Sequence, residues 1–282
     1  MTQLAQLKLV FYGAGSMAEA IARGMIQEKL TAPAQIAMIN RQNQQRLEQL
    51  TSQYGVTIPT NEEDKSRLLS EADVIFLAMK PKDAAQALSA LSSFLRPSQL
   101  IVSVIAGLSV STMNRILGKE AAIVRTMPNT SSTIGLGATG ISYSSLVSAE
   151  QRQMTEQMFQ SVGLTTVVDE SLLGAVTGVS GSGPAYIYYV MEAMIAAGQA
   201  QGLTAEAAKQ LTVQTVLGAA RMVETTGEEP ADLRRKVTSP GGTTQAALEV
   251  MQERQLAETF GAAIARCVQR AGELGSMLEK EQ

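Results

Sequence analysis

The feature that most constrains the fold is an alternation of short apolar runs with amphipathic segments through the first half of the chain. The apolar runs have the length and composition of buried strands, at Leu7–Tyr12, Gln35–Asn40, Asp73–Ala78, Gln99–Ile105, Ala121–Thr126, Gly137–Tyr143 and Thr165–Asp169. The segments between them space their apolar residues as helices do, at Met17–Glu28, Gln42–Tyr54, Asp83–Leu95, Val110–Leu117 and Ala149–Val162. Strands and helices that alternate in this way predict an α/β domain with a doubly wound, mostly parallel sheet.

The second half of the chain has helical patterns only. Helices are predicted at Pro184–Gln201, Ala205–Thr225, Thr243–Glu253 and Leu256–Leu274. Two stretches, Tyr186–Ala197 and Leu211–Val223, are apolar on nearly every side, with Glu192 and Arg221 as their only charges. Because such helices must be covered all round, we expect a second copy of the chain to supply the cover. The sequence therefore predicts two domains, residues 1–168 and 169–282, and a homodimer or a higher homo-oligomer of dimers.

Composition excludes several kinds of chemistry. The chain of 282 residues has no histidine and one cysteine, Cys267. A zinc site of Cys and His, a disulfide framework and a Ser-His-Asp or Cys-His nucleophile are therefore excluded, and we expect no metal. The formal net charge is −3 and no basic run is longer than the triplet Arg234–Lys236, so no nucleic-acid partner is expected.

The apolar segments do not have the pattern of a secretory signal or a membrane span. The run Leu9–Tyr12 is too short for the apolar core of a signal peptide. Pro184–Gly198 carries Glu192 and is shorter than the roughly 18 apolar residues that a span requires. The sequence predicts a cytoplasmic protein without a membrane partner.

A glycine-rich segment lies where the first predicted strand meets the first predicted helix. It consists of Gly13, Ala14, Gly15, Ser16, Met17 and Ala18, and it fits the pattern G-x-G-x-x-G/A. In that pattern the first glycine makes the tight turn, the second lets a pyrophosphate approach, and the third small residue packs the helix on the strand. Since the flanking strand and helix are both predicted, the segment indicates a dinucleotide site.

The end of the second predicted strand bears on which dinucleotide is bound. Sites that prefer NAD usually carry Asp or Glu here for the ribose 2′-hydroxyl, whereas this chain has Asn40 and Arg41. An arginine can pair with a 2′-phosphate, and an asparagine can donate a hydrogen bond to it. The sequence favours NADPH as the cofactor, with NADH possible, although a solvated arginine at a helix start is the simpler alternative.

Two later strands end in segments that belong to the same edge of the sheet. Ala78, Met79, Lys80 and Pro81 follow the third strand, and the fourth ends at Ile105 and Ala106. Ligands of doubly wound folds bind at this carboxyl edge. Met127–Thr130, after the fifth strand, is a candidate lining of the nicotinamide pocket.

Two further glycine-rich segments open helices in the second half, at Val179–Tyr186 and Thr238–Thr244. Consecutive small residues with free amides at a helix start can hold a carboxylate. Ordinary helix capping and turn formation explain the same residues. The residues alone leave both interpretations open.

The segments Gly13–Ala18, Ala78–Pro81, Val104–Gly107, Met127–Asn129, Gly181–Tyr186 and Ser239–Thr244 occur in an order and spacing that resemble the pyrroline-5-carboxylate reductases. The resemblance runs from about residue 8 to residue 275. Its specific part is the pair SGSGPAY and SPGGTT. It implies a Rossmann domain followed by an all-helical dimerisation domain, and NADPH-dependent reduction of 1-pyrroline-5-carboxylate to L-proline, the last step of proline biosynthesis.

The resemblance also implies roles for individual residues. On the cofactor side, Asn40 and Arg41 lie at the adenosine end, Asn61 near the adenine ribose, and Ala78 to Pro81 with Val104, Ile105 and Ala106 beside the nicotinamide. On the substrate side, the ring carboxylate binds at Ser239, Gly241, Gly242, Thr243 and Thr244. The Thr244 hydroxyl is the candidate catalytic group, as a hydrogen-bond partner of the ring nitrogen. Met79 and Ile105 depart mildly from the residues usual in the family.

Two other functions compete with this interpretation. A β-hydroxyacid dehydrogenase has a similar domain order, but the resemblance to that family implies a catalytic lysine early in the central helix, and Pro184–Gly202 contains none. A regulatory relative that binds NADP without turnover is expected to have lost the hydroxyls of SPGGTT, which are intact here.

Overall fold

The computed structural model describes residues 3–280, in which seven strands form one sheet. They are β1 (Leu9–Tyr12), β2 (Ile36–Ile39), β3 (Val74–Leu77), β4 (Leu100–Ser103), β5 (Ala122–Met127), β6 (Gly137–Tyr143) and β7 (Gly163–Val167). The order across the sheet is β2-β1-β3-β4-β5-β6-β7, and every neighbouring pair is parallel except β5 with β6. The predicted mostly parallel α/β sheet is confirmed.

Both faces of the sheet are buried along β1 to β4, as the unbroken apolar runs of these strands predict. Successive side chains of a strand point to opposite faces, so Leu9 and Phe11 join one core cluster and Val10 joins the other. On the first face the rings of Phe11 and Phe76 stack with centroids 4.3 Å apart. Helices therefore cover the sheet on both sides, and its ligand-binding surface is left at the strand ends.

The helices that accompany the sheet are α1 (Ser16–Gln27), α2 (Gln44–Tyr54), α3 (Glu62–Glu71), α4 (Pro81–Ser92), α5 (Val110–Leu117), α6 (Ala149–Gln160) and the short α7 (Leu173–Val176). Sequence reasoning missed α3 and α7. In α3 the apolar periodicity is weak and Leu69 is its one fully buried residue. Its start is marked instead by Asn61, whose side chain caps the helix, and by acidic residues in the first turn, which the helix dipole stabilises.

The described chain after β7 is helical, as predicted. Its helices are α8 (Gly183–Ala200), α9 (Ala205–Thr226), α10 (Pro230–Lys236), α11 (Thr243–Glu253) and α12 (Leu256–Lys280). Sequence reasoning missed α10. Across residues 3–280, each helix is too short or too polar to cross a membrane.

The chain divides into two compact units. One consists of the chain up to Ser182 together with the chain from Cys267 onward, and the other is Gly183–Arg266. Helix α12 therefore begins in the helical unit and ends in the sheet unit. The domain boundary predicted between residues 168 and 169 stays a prediction.

The helical unit leaves much of its apolar surface uncovered. Helix α8 has no fully buried residue, and α9 has two, Ala208 and Thr212. Large apolar side chains stand in solvent instead, with exposed fractions of 74 % for Tyr189 and 58 % for Leu211. Single exposed apolar residues are normal, but a helix pair that buries almost nothing is not.

Candidate functional site

The strand order creates a crevice at the carboxyl ends of β1, β2 and β3. Strand β1 has β2 on one side and β3 on the other, so the connections leave β1 in opposite directions across the sheet. Ligands of doubly wound folds bind at such a reversal. The backbone there is closely tied, because the Gly13 amide donates to the Ile39 carbonyl at 2.9 Å and the Ala78 amide donates to the Tyr12 carbonyl at 2.9 Å.

The glycine-rich loop after β1 uses its two glycines differently. Gly13 has a φ of +117°, and a Cβ atom built on it lies 2.4 Å from the backbone of Ala78, so a side chain does not fit. A Cβ atom on Gly15 meets nothing within 4 Å, so the space above Gly15 is open. Gly15 is the N-cap of α1 and makes no side-chain capping bond. The first amides of α1 therefore face an open space that a phosphate can occupy.

A cavity of about 620 Å³ lies over this crevice, and we call it the β1–β3 cavity. The predicted cofactor residues that line it are Gly13, Ala14, Gly15, Asn40, Arg41, Ala78, Met79 and Lys80. Three others stand in the first turn of α1, Ser16, Met17 and Ala18, and Pro81 is the first residue of α4. The structure thus brings the loop and the ends of β2 and β3 to one cavity.

The β1–β3 cavity is basic although the whole chain has a formal net charge of −3. Arg41, Lys65, Lys80 and Lys82 line it, with Asp83 as the acidic residue of the lining. Asp83 accepts a hydrogen bond from Arg41 at 3.2 Å. A concave surface with several cations attracts an anion bearing several charges. Sequence reasoning singled out Arg41 and Lys80 and missed Lys65 and Lys82.

The two predicted asparagines are engaged with the backbone. The Asn40 side-chain oxygen accepts from the amides of Gln42 and Asn43 at 3.1 and 3.2 Å. The Asn61 side-chain oxygen accepts from the Asp64 amide at 2.8 Å and caps α3. Asn40 lines the β1–β3 cavity, whereas Asn61 is not part of its lining. Neither side-chain nitrogen has a partner within residues 3–280, so both are left to donate to a ligand.

A cluster of charged side chains, which sequence reasoning missed, contacts the glycine-rich loop and holds it in place. Arg46 of α2 donates to the Ala14 carbonyl at 3.4 Å and pairs with Glu19 of α1. The Tyr54 hydroxyl donates to the same carboxylate at 2.8 Å. Burial alone would raise the pKa of Glu19, but the hydrogen bonds from Tyr54 and Arg46 outweigh it and hold the pKa below its usual value. Glu19 therefore stays charged and keeps Arg46 against the loop.

A second cavity of about 320 Å³ lies beyond β4 and β5, and we call it the β4–β5 cavity. Ile105, Ala106 and Met127 line it, whereas Val104 packs against the core. The predicted nicotinamide residues are thus divided between the two cavities. Sequence reasoning also missed the ion pair of this cavity, in which Arg125 donates to Glu170 at 2.7 Å. A charged residue inside a mostly apolar strand was the available signal for it.

In the helical unit, the glycine-rich turn before α11 forms as a tight structure. Gly241 has a φ of +69°, and its amide donates to the Gln245 side chain at 2.8 Å. The Gly242 amide donates to the Ser239 carbonyl at 3.0 Å. The amides of Thr243 and Thr244 begin α11 and have no partner within residues 3–280. These two amides, rather than those of Gly241 and Gly242, are the donors left for a ligand.

Relatives of known name match nearly the whole chain. Pyrroline-5-carboxylate reductase 2 of Bacillus subtilis is 40 % identical over 278 residues, which are 97 % of this chain and 99 % of the relative. The chain belongs to the pyrroline-5-carboxylate reductase family. The family predicted from the sequence is confirmed, and it replaces the β-hydroxyacid dehydrogenase alternative. The pyrroline-5-carboxylate reductase of Pseudomonas aeruginosa is 38 % identical and covers 96 % of this chain and 98 % of its own.

Solved structures agree with this family. A pyrroline-5-carboxylate reductase from Coxiella burnetii has a TM-score of 0.88 at 37 % identity, covering 95 % of this chain and 98 % of that chain. A pyrroline carboxylate reductase from Plasmodium falciparum, solved with NADP bound, has a TM-score of 0.84 at 26 % identity, covering 96 % and 99 %. Residues 170–274 match the family described as pyrroline-5-carboxylate reductase dimerisation, and residues 8–107 match that described as NADP oxidoreductase coenzyme F420-dependent.

The different environments of the two loop glycines give a prediction about stability. Gly13→Ala places a methyl group into the backbone of Ala78 at a φ unfavourable for alanine, so we expect a loss of about 3 kcal/mol in the free energy of unfolding. Gly15→Ala adds the same methyl group in open space at a φ of −77°, and we expect a change within about 0.5 kcal/mol. Urea denaturation of both variants measures the difference. Equal losses would contradict the assigned close approach.

Proposed function

We propose that this chain reduces the C=N bond of 1-pyrroline-5-carboxylate to L-proline with NADPH, as the last step of proline biosynthesis. The β1–β3 cavity supports this proposal most strongly, because an open helix start and four basic side chains lie together there at the strand ends. A dinucleotide with a pyrophosphate and a 2′-phosphate carries negative charge, which complements this basic surface. The substrate is inferred from the relatives, which are named pyrroline-5-carboxylate reductases.

The residues of the β1–β3 cavity fit NADPH. The space above Gly15 and the open amides of α1 accept the pyrophosphate, and the excess of cations near Asn40 and Arg41 suits NADPH better than NADH. Bound NADPH supplies a hydride from C4 of its nicotinamide. The chain's own part is to hold the dinucleotide in a fixed place at the edge of the sheet.

For the substrate, the start of α11 is the proposed binding site. The amides of Thr243 and Thr244 point out of a helix end that has no side-chain cap, and a helix N-terminus favours a carboxylate. Ser239, Gly241 and Gly242 build the turn that presents them. The half-buried Thr244 carries a hydroxyl that is proposed to hydrogen-bond the ring nitrogen as it becomes an amine.

The mechanism that follows is one of positioning. A chain with no histidine has no imidazole to protonate the ring nitrogen. A cyclic imine can bind already protonated, as the iminium, which accepts hydride more readily than the neutral imine. Orientation of two bound reactants can by itself supply a large part of a rate enhancement. The residues of this chain are therefore proposed to bind and orient rather than to transfer protons.

The assembly is proposed to be a homodimer, or a higher homo-oligomer of dimers, joined through the helical unit. The match to the dimerisation family covers residues 170–274, which include α8 and α9. These helices expose Tyr188, Tyr189, Leu211 and Leu217 by between 47 % and 74 %. A second copy that covers them removes this apolar surface from water, at a gain of roughly 25 cal/mol for each Å².

The proposed reaction is tested by the oxidation of NADPH in the presence of 1-pyrroline-5-carboxylate and by the detection of proline. We expect Thr244→Val, which keeps the shape and removes the hydroxyl, to lower kcat/KM by about 10–100-fold because a hydrogen bond to a charged group is lost. NADPH affinity should not change. Thr225→Val, an exposed threonine of α9, is the matched control and should keep wild-type activity.

Two results would contradict this account. A wild-type protein that binds NADPH without oxidising it would be the regulatory relative, and the proposed reaction would be wrong. A fully active Thr244→Val variant would leave the reaction in place and remove the role of its hydroxyl.

The proposed dimer predicts the effect of a charge on α9. Leu217→Glu places a carboxylate on a side chain that is 47 % exposed in the single chain, and we expect monomers or aggregates because the charge would be buried between copies. Gln201→Glu introduces the same charge at an exposed position after α8 and should leave the assembly unchanged. Analytical ultracentrifugation measures both, and a wild-type monomer at micromolar concentration would refute the dimer.

A further inference from the structure

Lys65 is a cation of the β1–β3 cavity that the family motifs do not include. It stands on α3, and its ammonium lies 5.8 Å from the centre of the Tyr12 ring, within reach of a cation–π contact. Its side chain is 25 % exposed. Tyr12 ends β1, with Ile39 of β2 and Leu77 of β3 as its neighbours in the sheet. The Lys65 ammonium is therefore held at the crevice.

Lys65 and the helix that follows the glycine-rich loop lie on opposite faces of the sheet. Tyr12 packs against the core cluster that contains residues of α3, α4 and α5, whereas α1 belongs to the other cluster. The open amides of α1 are the proposed pyrophosphate site. A cation beside Tyr12, in the cavity that Ile39 and Asn40 at the end of β2 also line, has a different anionic group to bind, which is the phosphate on the adenosine ribose.

We propose that Lys65 binds the 2′-phosphate of the dinucleotide and so determines the preference for NADPH over NADH. This inference rests on the proposed function, because it assigns a residue to the cofactor of that reaction.

Arg41 alone is poorly placed for this task. Its guanidinium pairs with Asp83 at 3.2 Å, and its side chain is 61 % exposed, so a phosphate must compete with a carboxylate and with water. Lys65 also has an acidic partner, Glu62, at 2.9 Å, but the Glu62 side chain is 86 % exposed. An ion pair with so exposed a partner is weak and can exchange for a doubly charged phosphate.

Lys65 keeps its charge in this setting. Burial alone would lower the pKa of Lys65, but the hydrogen bond to Glu62 and the proximity of Tyr12 outweigh it, and the net shift is upward. The side chain is thus a permanent cation at neutral pH, held by a helix and an aromatic ring.

Two adenosine fragments isolate the 2′-phosphate without any hydride transfer. Adenosine 2′,5′-bisphosphate and adenosine 5′-monophosphate differ by that phosphate alone, and calorimetry measures both affinities. For Lys65→Met we expect the bisphosphate to bind about tenfold more weakly, the size of one charge-assisted contact, and the monophosphate to bind as before. Lys29→Met removes the same charge from an exposed position outside the cavity lining and should change neither affinity.

A second pair of variants tests the inference in the opposite direction and does not threaten the fold. Glu62→Gln frees Lys65 from its partner, so the bisphosphate should bind about two- to threefold more tightly. Glu63→Gln removes the same charge from the next exposed residue and should have a smaller effect.

The outcomes separate the two proposals. Equal losses for both fragments in Lys65→Met would place Lys65 at the 5′-phosphate and overturn the inference, as would an unchanged affinity for the bisphosphate. Equal gains in bisphosphate affinity for Glu62→Gln and Glu63→Gln would show that the gain comes from the lower overall negative charge and not from freeing Lys65. That result would also overturn the inference. Failure of the wild-type protein to bind either fragment or NADPH would instead refute the proposed function.

Discussion

The structure depends on the close approach of two backbones at residue 13. β1 and β3 lie side by side, and the turn after β1 passes so near Ala78 that a single methyl group on Gly13 would lie 2.4 Å from its backbone. The same turn directs the chain into α1, whose first amides then face the crevice without a side-chain cap. The dinucleotide site proposed at this edge thus follows from strand order and one glycine, and the charged residues around it lie on a surface that the backbone has already formed.

The two compact units are proposed to bind different reactants, the dinucleotide in the sheet unit and the substrate in the helical unit. The sheet unit carries the basic β1–β3 cavity, and the helical unit carries the start of α11, where Thr243 and Thr244 offer free amides. Each is proposed to bind an anion at a helix N-terminus. The sheet unit adds cations for a multiply charged ligand, whereas the turn before α11 is built from glycine, proline and hydroxyl residues. The helical unit also carries the exposed apolar surface of α8 and α9, so substrate binding and assembly are proposed to depend on the same compact unit.

The sequence predicts what local pattern controls and misses what long-range packing controls. Period-two and period-3.6 patterns predict the sheet, the helices around it and the loop at Gly13, because each depends on neighbouring residues. Helix α3 was not predicted because its apolar face is narrow. Lys65 was not predicted as a site residue because its contact with Tyr12 joins residues far apart in sequence. The engagement of the Gly242 amide within its own turn was likewise hidden, because it depends on the turn's geometry and not on residue types.

We propose that this histidine-free chain orients two bound reactants and transfers no proton from a side chain of its own. The pH dependence of kcat/KM for 1-pyrroline-5-carboxylate, at saturating NADPH, tests it most directly, because this quantity reports ionisations of the free enzyme and the free substrate. We expect a profile between about pH 6 and pH 9 with one ionisation, equal to the pKa of the imine measured on the free substrate by NMR. A bell-shaped profile with a second ionisation that the substrate does not show would contradict it.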